Sequence, residues 1–192
     1  MSIAENYLTP EQYLEIERAA ERKSEYHAGQ MFLMAGATEA HVLITTNLGI
    51  ALGVRLRDSP CRTYTTDLRL KVSEAGLYTY PDVMVACGGA QFEDGRRDVL
   101  LNPTVIIEVL SPSTEAYDRG NKFEFYRKLD SLQEYVLVAQ DRYYVEHFIR
   151  QADGEPWLRT EQSGLTAMLE LPAIGCQVPL AEIYHKVELS AP

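Results

Sequence analysis

Two strongly apolar segments of the chain each contain one carboxylate, and this combination limits how the chain can fold. The first segment begins at Pro81-Asp82-Val83, and the second runs from Val105 to Leu110 and contains Glu108. Both segments are typical of buried β-strands, where a charged group is costly unless it is paired or holds a cation. If both strands belong to one sheet, Asp82 and Glu108 can converge at its edge. Their hard oxygen atoms would then suit Mg²⁺ or Mn²⁺.

Length and composition predict one domain with a substantial core. The chain has 192 residues, of which 46% are hydrophobic, and a chain of this size buries roughly 70% of its unfolded surface. We expect a single domain over residues 1–192, with its core in about residues 38–140. The longest apolar helical stretch, Val42 to Leu56, is interrupted by polar residues, and no signal peptide pattern begins the chain, so we expect no membrane segment.

The cysteine pattern predicts the redox compartment. Cys61, Cys87 and Cys176 are odd in number and widely spaced, and no Cys-x-x-Cys pair is present. We therefore expect three reduced thiols in a cytoplasmic protein.

The net charge of −10 argues against tight nonspecific binding to nucleic acid, because that affinity comes mainly from Lys and Arg side chains that neutralise phosphates. The basic residues nevertheless occur in groups, which form either a local basic groove or several solvated faces. These groups are Arg55 and Arg57; Arg62, Arg69 and Lys71; Arg96 and Arg97; and Arg119, Lys122, Arg127 and Lys128.

Capping signals and hydrophobic periodicity predict a mixed α/β (α+β) order of elements. A capping box at Thr9 begins a helix that should end at about Arg22, Gly29 marks a hairpin, and Thr38 caps a longer helix. The next predicted strands are Arg62 to Thr65, a half-exposed Asp67 to Val72, Asp82 to Ala86 and the strand of Glu108. A helix from Asp118 to Leu129, a strand from Glu134 to Ala139, an antiparallel pair around Asp153-Gly154 and a short element near Leu180 to Tyr184 complete the prediction.

The core order from Thr38 to Ala139 is helix, three strands, helix, strand, in which the Asp82 strand is the second core strand, the Glu108 strand is the third, and the second helix makes a parallel crossover. This order resembles the PD-(D/E)XK restriction-endonuclease-like superfamily, and within it the Uma-type endonuclease family, long classed as a domain of unknown function. The resemblance covers about residues 7–150 and implies a mixed central sheet flanked by helices, with an extra N-terminal helix and hairpin and extra C-terminal antiparallel strands. The residues that carry it are Tyr26-x-x-Gly29, His41, Asp67, Tyr80-Pro81-Asp82-Val83, Glu108-Val109-Leu110-Ser111-Pro112-Ser113-Thr114, Asp118, Lys122, Tyr126 and Glu134-Tyr135.

One departure from the superfamily pattern concerns the catalytic lysine. The third core strand normally carries Glu-x-Lys, but Leu110 stands at the lysine position. Lys122 on the following helix is the substitute that the resemblance implies, like the migrated lysine of some branches of the superfamily. Tyr126 lies four residues later on the same helix face and would support Lys122.

The resemblance implies a Mg²⁺- or Mn²⁺-dependent nuclease that acts on DNA. Asp82 and Glu108 would hold the cation, and the carbonyl of Val109 would add a ligand. Lys122 would bind the scissile phosphate or orient the attacking water. Two close carboxylates also repel each other, so we expect one of them to have a raised pKa. A homodimer with one site for each DNA strand is an expectation by analogy.

Each of these residues has a structural alternative. Asp82 could cap a turn, Glu108 could belong to a buried ion pair, and Lys122 could be an ordinary exposed helix lysine. Asp67 is either a surface residue or a third acidic ligand. His41 either contacts a phosphate or transfers a proton, or it is a core or capping histidine. Only the resemblance recommends Glu25 as a member of the acidic cluster.

Other chemistries find less support in the chain. Gly88-Gly89 lacks the Lys-Ser/Thr of a phosphate-binding loop, no Cys/His spacing fits a structural zinc, and Ser111 and Ser113 lack a nucleophile elbow. The alternative to a nuclease is a non-catalytic protein of the same fold, with a vestigial site, that binds nucleic acid or a protein partner. The retained Asp, Glu and Lys favour the enzyme, and the acidic charge favours the alternative.

Overall fold

The computed structural model describes residues 7–152 and 154–189. Its first elements are α1 (Pro10–Ala19), β1 (Ser24–His27), β2 (Gln30–Leu33) and α2 (Glu39–Arg55). Then come β3 (Arg62–Thr65), β4 (Arg69–Val72), β5 (Leu77–Thr79), β6 (Val83–Ala86), β7 (Val99–Leu100) and β8 (Val105–Leu110). A helical segment follows, made of α3 (Glu115–Tyr117), a π-helical turn (Asp118–Lys122) and α4 (Phe123–Tyr126). The last elements are β9 (Glu134–Ala139), β10 (Tyr144–Ile149), β11 (Leu158–Ser163), β12 (Met168–Leu171), β13 (Cys176–Pro179) and α5 (Leu180–Ile183).

A six-stranded mixed sheet contains the predicted core, in the strand order β11-β10-β9-β8-β6-β3. Strands β8 and β9 are parallel, and the helical segment between them makes the crossover. The neighbouring pairs β3–β6, β6–β8, β9–β10 and β10–β11 are antiparallel. The order α2, β3, β6, β8, helical segment, β9 is therefore the helix-strand-strand-strand-helix-strand core, and the predicted restriction-endonuclease-like fold class is confirmed.

A second sheet has the order β2-β1-β5-β4-β7. Its hairpin β1–β2 turns where predicted, at Gly29, whose φ of 94° lies in the left-handed region that favours glycine. The half-exposed strand predicted at Asp67 to Val72 is shorter and mostly buried. Arg69 causes the difference, because its guanidinium is buried and donates to the hydroxyl of Tyr80 and to Asp98.

Both faces of the central strands β6, β8 and β9 are buried, and the alternation of side chains decides which layer each residue joins. One face, with Val83 and Ile107, packs against α2 and the C-terminal elements β12, β13 and α5. The other face, with Met84 and Ile106, packs against the second sheet and the helical segment. Asp82 lies two residues before Met84, and Glu108 lies two residues after Ile106. Because side chains alternate along a strand, Asp82 and Glu108 lie on the same face as Met84 and Ile106, toward the second sheet.

Three element boundaries differ from the predictions. Helix α1 ends at Ala19, not at about Arg22, because residues 20–23 are needed for the connection to β1. The predicted helix at Asp118 to Leu129 begins at Glu115 and ends at Tyr126.

Strands β10 and β11 form the predicted antiparallel pair, although Asp153 of the predicted turn lies outside the described residues.

Two cysteines correct an expectation. Cys61 and Cys87 form a disulfide, so the prediction of three reduced thiols is wrong at these positions, whereas Cys176 is free and buried. The antiparallel pairing of Arg62 with Ala86 explains this, because the next position in the register places the two cysteines opposite each other. The cytoplasmic location loses the support of the cysteine pattern and stays a prediction. In the described ranges, none of the helices combines the length and the apolar character that crossing a bilayer requires.

Candidate active site

Asp82 and Glu108 meet at one end of the β6–β8 pair. Val83 pairs with Ile107, and extending this register by one residue places Asp82 opposite Glu108. The backbone N–H of Val109 donates to Asp82 Oδ2 at 2.8 Å, and the backbone nitrogen of Asp82 lies 3.4 Å from Glu108 Oε2. The structure therefore brings the two predicted metal ligands together at the end of two central strands of the sheet.

The side chain of Glu108 is buried, and two polar groups contact its Oε1 atom. Glu108 Oε1 accepts a hydrogen bond from the hydroxyl of Tyr126 at 2.7 Å and lies 2.9 Å from Lys122 Nζ. Burial raises the pKa of the Glu108 carboxyl to about 8, against the lowering influence of Lys122 and with smaller raising contributions from Asp118 and Asp82. The raised pKa agrees in direction with the sequence-based expectation, but burial contributes more than repulsion between carboxylates.

Lys122 lies at the centre of an acidic cluster. Its Nζ atom is 2.9 Å from Glu108, 3.4 Å from Asp118 and 3.5 Å from Glu25, and the side chain is only 7% exposed. Although burial alone lowers the pKa of Lys122, Glu108, Glu25 and Asp118 hold it well above its ordinary value. The side chain is therefore a buried cation, not an exposed helix lysine.

The π-helical turn positions two members of this cluster. Asp118 and Lys122 stand at its two ends, and both side chains are buried on the same side, toward Glu108. The hydroxyl of Tyr135 donates to the backbone carbonyl of Asp118 at 3.0 Å and anchors the turn to β9. π-Helical turns are rare and frequently occur at functional sites.

Glu25 reaches the cluster from the second sheet. Its Oε1 atom accepts a hydrogen bond from the hydroxyl of Thr79 and faces Lys122 Nζ. Since β1 and β5 belong to the second sheet and β8 to the six-stranded sheet, the cluster joins both sheets. Only the family resemblance suggested Glu25 from the sequence.

The other two candidates, His41 and Asp67, have different surroundings. His41 Nε2 lies 2.8 Å from Asp82 Oδ1, so this residue of the first turns of α2 contacts the site. Asp67 is 85% exposed at its side chain and pairs with Lys23 at 2.9 Å. Within residues 7–152 and 154–189, no hydrogen bond or ion pair joins Asp67 to the cluster, so the structure places it on the surface.

Asp118 is a member of the cluster to which sequence reasoning gave no role. The signal that could have identified it is the spacing of four residues to Lys122, which places two helical side chains on one face. Once Lys122 is recognised as buried, a carboxylate at this spacing is an expected partner.

The cluster opens into a cleft of about 1230 Å³. Asp82, Glu108, Asp118, Lys122 and Glu25 line its floor, together with His41. One wall is formed by the end of β2, the connection to α2, and one face of α2; the loop from Ser111 to Thr114 lines another side. A ligand in the cleft would reach both predicted metal ligands and the buried ammonium.

The chemistry of the donor set fits a hard divalent cation. Glu108, Glu25 and Asp118 surround the single ammonium of Lys122, and Asp82 lies beside Glu108, so carboxyl groups outnumber ammonium groups in the cluster. In the described part of the chain, no group of three or more His, Cys, Asp or Glu side chains could hold a metal ion. The two carboxylates of Asp82 and Glu108 are oxygen ligands of the kind that Mg²⁺ accepts, since this ion is commonly bound by one or two carboxylates and keeps several water ligands.

Comparisons with known proteins identify the family and the fold of this chain. A family model described as "Uma2: Putative restriction endonuclease" matches residues 10–181. A crystal structure described as "a putative nuclease belonging to DUF820" from Anabaena variabilis ATCC 29413 superposes with a TM-score of 0.74. That match covers 92% of this chain and 97% of the other at 17% sequence identity, and it shows a shared fold.

Two relatives come from Synechocystis sp. (strain ATCC 27184 / PCC 6803 / Kazusa). The uncharacterized protein sll1609 is 39% identical over 163 residues, which are 85% of this chain and 92% of the relative. The uncharacterized protein slr1290 is 34% identical over 178 residues, which are 93% of this chain and 92% of the relative. Since the family model and both relatives match most of its length, this chain belongs to the Uma2 family.

Proposed function

We propose that this protein is a Mg²⁺- or Mn²⁺-dependent nuclease that hydrolyses phosphodiester bonds of DNA in the cleft. The family and the fold support a nuclease in general. The observation that carries the specific proposal is the buried ammonium of Lys122, 2.9 Å from Glu108 Oε1, beside Asp82 at an open cleft. A cation and two carboxylates at one accessible point are what phosphodiester hydrolysis with a metal ion needs.

Different residues of the chain would bind the metal ion and orient its ligands. Asp82 and Glu108, with the carbonyl of Val109, would hold the metal ion. When bound, the ion supplies a Lewis acid for the phosphoryl oxygen and lowers the pKa of a coordinated water. His41 fixes the orientation of Asp82 through their 2.8 Å contact, and Tyr126 fixes Glu108 through its hydroxyl.

Lys122 would stabilise charge on the substrate. Its ammonium would place positive charge beside the phosphoryl oxygens, on which negative charge gathers in the transition state. Glu25 and Asp118 hold the ammonium in place from two further directions. Lys122 on the helical segment can therefore replace the lysine that the superfamily carries at the position of Leu110.

The experiment compares Asp82→Asn with Asp67→Asn, which is the same chemical change at an exposed position. With Mn²⁺, wild type should cleave supercoiled plasmid or single-stranded circular DNA, and Asp82→Asn should lose about 100-fold or more in rate. Calorimetric titration should show Mn²⁺ binding to wild type and to Asp67→Asn but not to Asp82→Asn. If wild type neither binds Mn²⁺ nor cleaves either substrate, the non-catalytic alternative replaces the proposal.

The homodimer remains a prediction by analogy with nucleases that cut two strands. Sedimentation velocity of the purified protein would test it, because a dimer of a 21.7 kDa chain separates clearly from the monomer.

A further inference from the structure

We propose that the cleft takes an unpaired, single-stranded nucleic acid segment whose bases lie against an apolar wall, and not an intact duplex. This inference rests on the proposed nuclease function and names its substrate class. Three features of the cleft carry it: its charged groups, its apolar wall and two hydroxyl groups without partners.

The cationic side chains of the cleft already form ion pairs with carboxyl groups of the protein. Of the described residues that line it, Lys23 and Lys122 are the cationic ones. Lys23 pairs with Asp67, and Lys122 is surrounded by Glu108, Asp118 and Glu25. A protein that binds duplex DNA commonly contacts about 6–10 phosphates through basic side chains. This cleft does not offer such a set, so most of the binding free energy must come from other contacts.

An apolar wall offers those contacts. Phe32, Leu33, Val42 and Ile50 line the cleft and are 49%, 62%, 52% and 61% exposed. Exposed apolar side chains grouped in one cleft usually mark a binding surface. Bases have apolar faces that are free only in an unpaired strand, and stacking on an aromatic ring tolerates any sequence.

The wall begins directly beside the acidic cluster. Phe32 on β2 pairs with Glu25 on β1, so the two side chains are cross-strand neighbours on one face of the hairpin, with Cβ atoms about 5 Å apart. Glu25 in turn faces Lys122 at 3.5 Å. On α2, Val42 directly follows His41, which contacts Asp82. A base stacked on Phe32 would therefore carry its phosphate toward the proposed catalytic residues.

Two hydroxyl groups in the cleft lack partners. Thr45 Oγ1 and Thr63 Oγ1 are buried and, in the part of the chain that the structure describes, accept or donate no hydrogen bond. Both residues line the cleft, and Thr45 is only 5% exposed. Buried polar atoms normally have a partner. The edge of an unpaired base supplies donors and acceptors that a duplex uses for its own pairing.

The size of the cleft also agrees with a polymer. Its volume of about 1230 Å³ exceeds the roughly 300–1,000 Å³ of pockets for small molecules. Several nucleotides can lie in this space at once.

The test is binding of one fluorescently labelled oligonucleotide, either single-stranded or annealed to its complement, measured by anisotropy with Ca²⁺ as the divalent ion. Wild type should bind the single strand at least about ten times more tightly than the duplex. Phe32→Ala should weaken single-strand binding by roughly 5- to 150-fold, the range for loss of one stacked base. Leu158→Ala is the matched control, because Leu158 is 50% exposed on β11 and does not line the cleft; its binding should equal that of wild type.

Thr45→Val tests the hydroxyl groups separately. The shape is nearly conserved, so loss of a hydrogen bond to a base should weaken binding by roughly 2- to 13-fold. The melting temperature should stay the same or rise, because a buried unpartnered hydroxyl is removed. Unchanged binding by Thr45→Val would remove Thr45 from the binding surface and contradict that part of the proposal.

Cleavage of the same two oligonucleotides with Mn²⁺ separates this inference from the proposed function. Cleavage of the duplex alone would overturn the substrate class and leave the nuclease in place. Single-strand binding that depends on Phe32 without any cleavage would support the cleft as a single-strand site and overturn the nuclease. If no oligonucleotide binds and Phe32→Ala instead dissociates a dimer in sedimentation velocity, the wall is an interface between copies and the inference is wrong.

Discussion

Lys122 is the residue whose surroundings differ most from those its type suggests. A helix lysine is ordinarily exposed, but this one is buried against Glu108, Asp118 and Glu25. A buried cation with three carboxyl neighbours is held in one position, and positioning of charge is the main contribution of such a group to catalysis. The same surroundings make the site sensitive to the removal of any one charge.

Replacing Lys122 should separate catalysis from metal binding. We expect Lys122→Ala to lose on the order of 10²–10³ in cleavage rate, while Mn²⁺ binding persists because the metal ligands remain. The double variant Leu110→Lys with Lys122→Ala should recover part of the rate, since Leu110 is two residues after Glu108 on the same face of β8. Cleavage assays on plasmid and single-stranded DNA measure both effects. A wild-type rate in Lys122→Ala would remove Lys122 from the mechanism.

Glu108 should give the metal-free protein a distinctive dependence of stability on pH. Its pKa is raised from 4.5 to about 8 in the folded state, so the folded protein binds this proton more tightly than the unfolded chain does. The resulting stabilisation is complete below about pH 4.5 and is lost as the pH rises through about 8. Thermal melts in EDTA should show that Glu108→Gln, which stays neutral, lacks this loss. Parallel pH curves for wild type and Glu108→Gln would contradict the raised pKa.

The sequence could predict Asp82 and Glu108 because a carboxylate inside an apolar run is an unusual local signal. Lys122 followed from the resemblance to the superfamily, whose strand lysine is replaced by Leu110 in this chain. The surface position of Asp67 could not be predicted in the same way, because it depends on which way the side chain points after the two sheets pack, and contacts between distant segments decide this. Asp118 could have been predicted only once Lys122 was recognised as buried.

At the scale of elements, most segments were predictable, but the short strands β5, β7, β12 and β13 were not. The apolar residues of α2 recur at helical spacing, and β8 and β9 are mostly apolar runs of six residues. These patterns specify the type of each element. Strand β7 has only two residues and exists because β4 pairs with it. The division of the predicted strands between two sheets likewise depends on partners far apart in the chain.

Two glycines of α2 provide a matched pair of substitutions. A Cβ atom at Gly53 would meet no atom within 4 Å, whereas one at Gly49 would lie 3.1 Å from Thr65 Cγ2 on β3. We expect Gly53→Ala to raise the free energy of unfolding by about 0.5–1 kcal/mol, because alanine favours the helix. Gly49→Ala should gain less or lose stability, since β3 must move. Denaturant titration measures both, and equal gains would show that α2 and β3 are not closely packed.

At the scale of the whole molecule, the Cys61–Cys87 disulfide joins the edge strand β3 to β6. Asp82 directly precedes the opposite end of β6. The sequence did not predict it, because Cys61 and Cys87 become neighbours only through the antiparallel pairing of these strands. The bond therefore links the stability of the six-stranded sheet to the redox state of the surroundings.

Removing this disulfide should destabilise the protein. We expect the double variant Cys61→Ala, Cys87→Ala to lose about 2–4 kcal/mol of unfolding free energy. A reductant should lower the melting temperature of wild type toward that of the variant and leave the variant unchanged, since Cys176 is buried and unpaired. A wild-type melting temperature that does not respond to reductant, with full reduction verified by thiol titration, would contradict this expectation.

The acidic cluster takes Glu25 and Thr79 from the second sheet and Glu108 from the six-stranded sheet. A chain still emerging from the ribosome, or one in which the N-terminal hairpin has opened locally, lacks this assembled centre. Its Lys122 has lost an anionic neighbour, and the aromatic ring of Phe32 is no longer beside the site. If the protein is the proposed nuclease, hydrolysis requires that the two sheets have docked, so partly folded copies of the protein would not cleave nucleic acid.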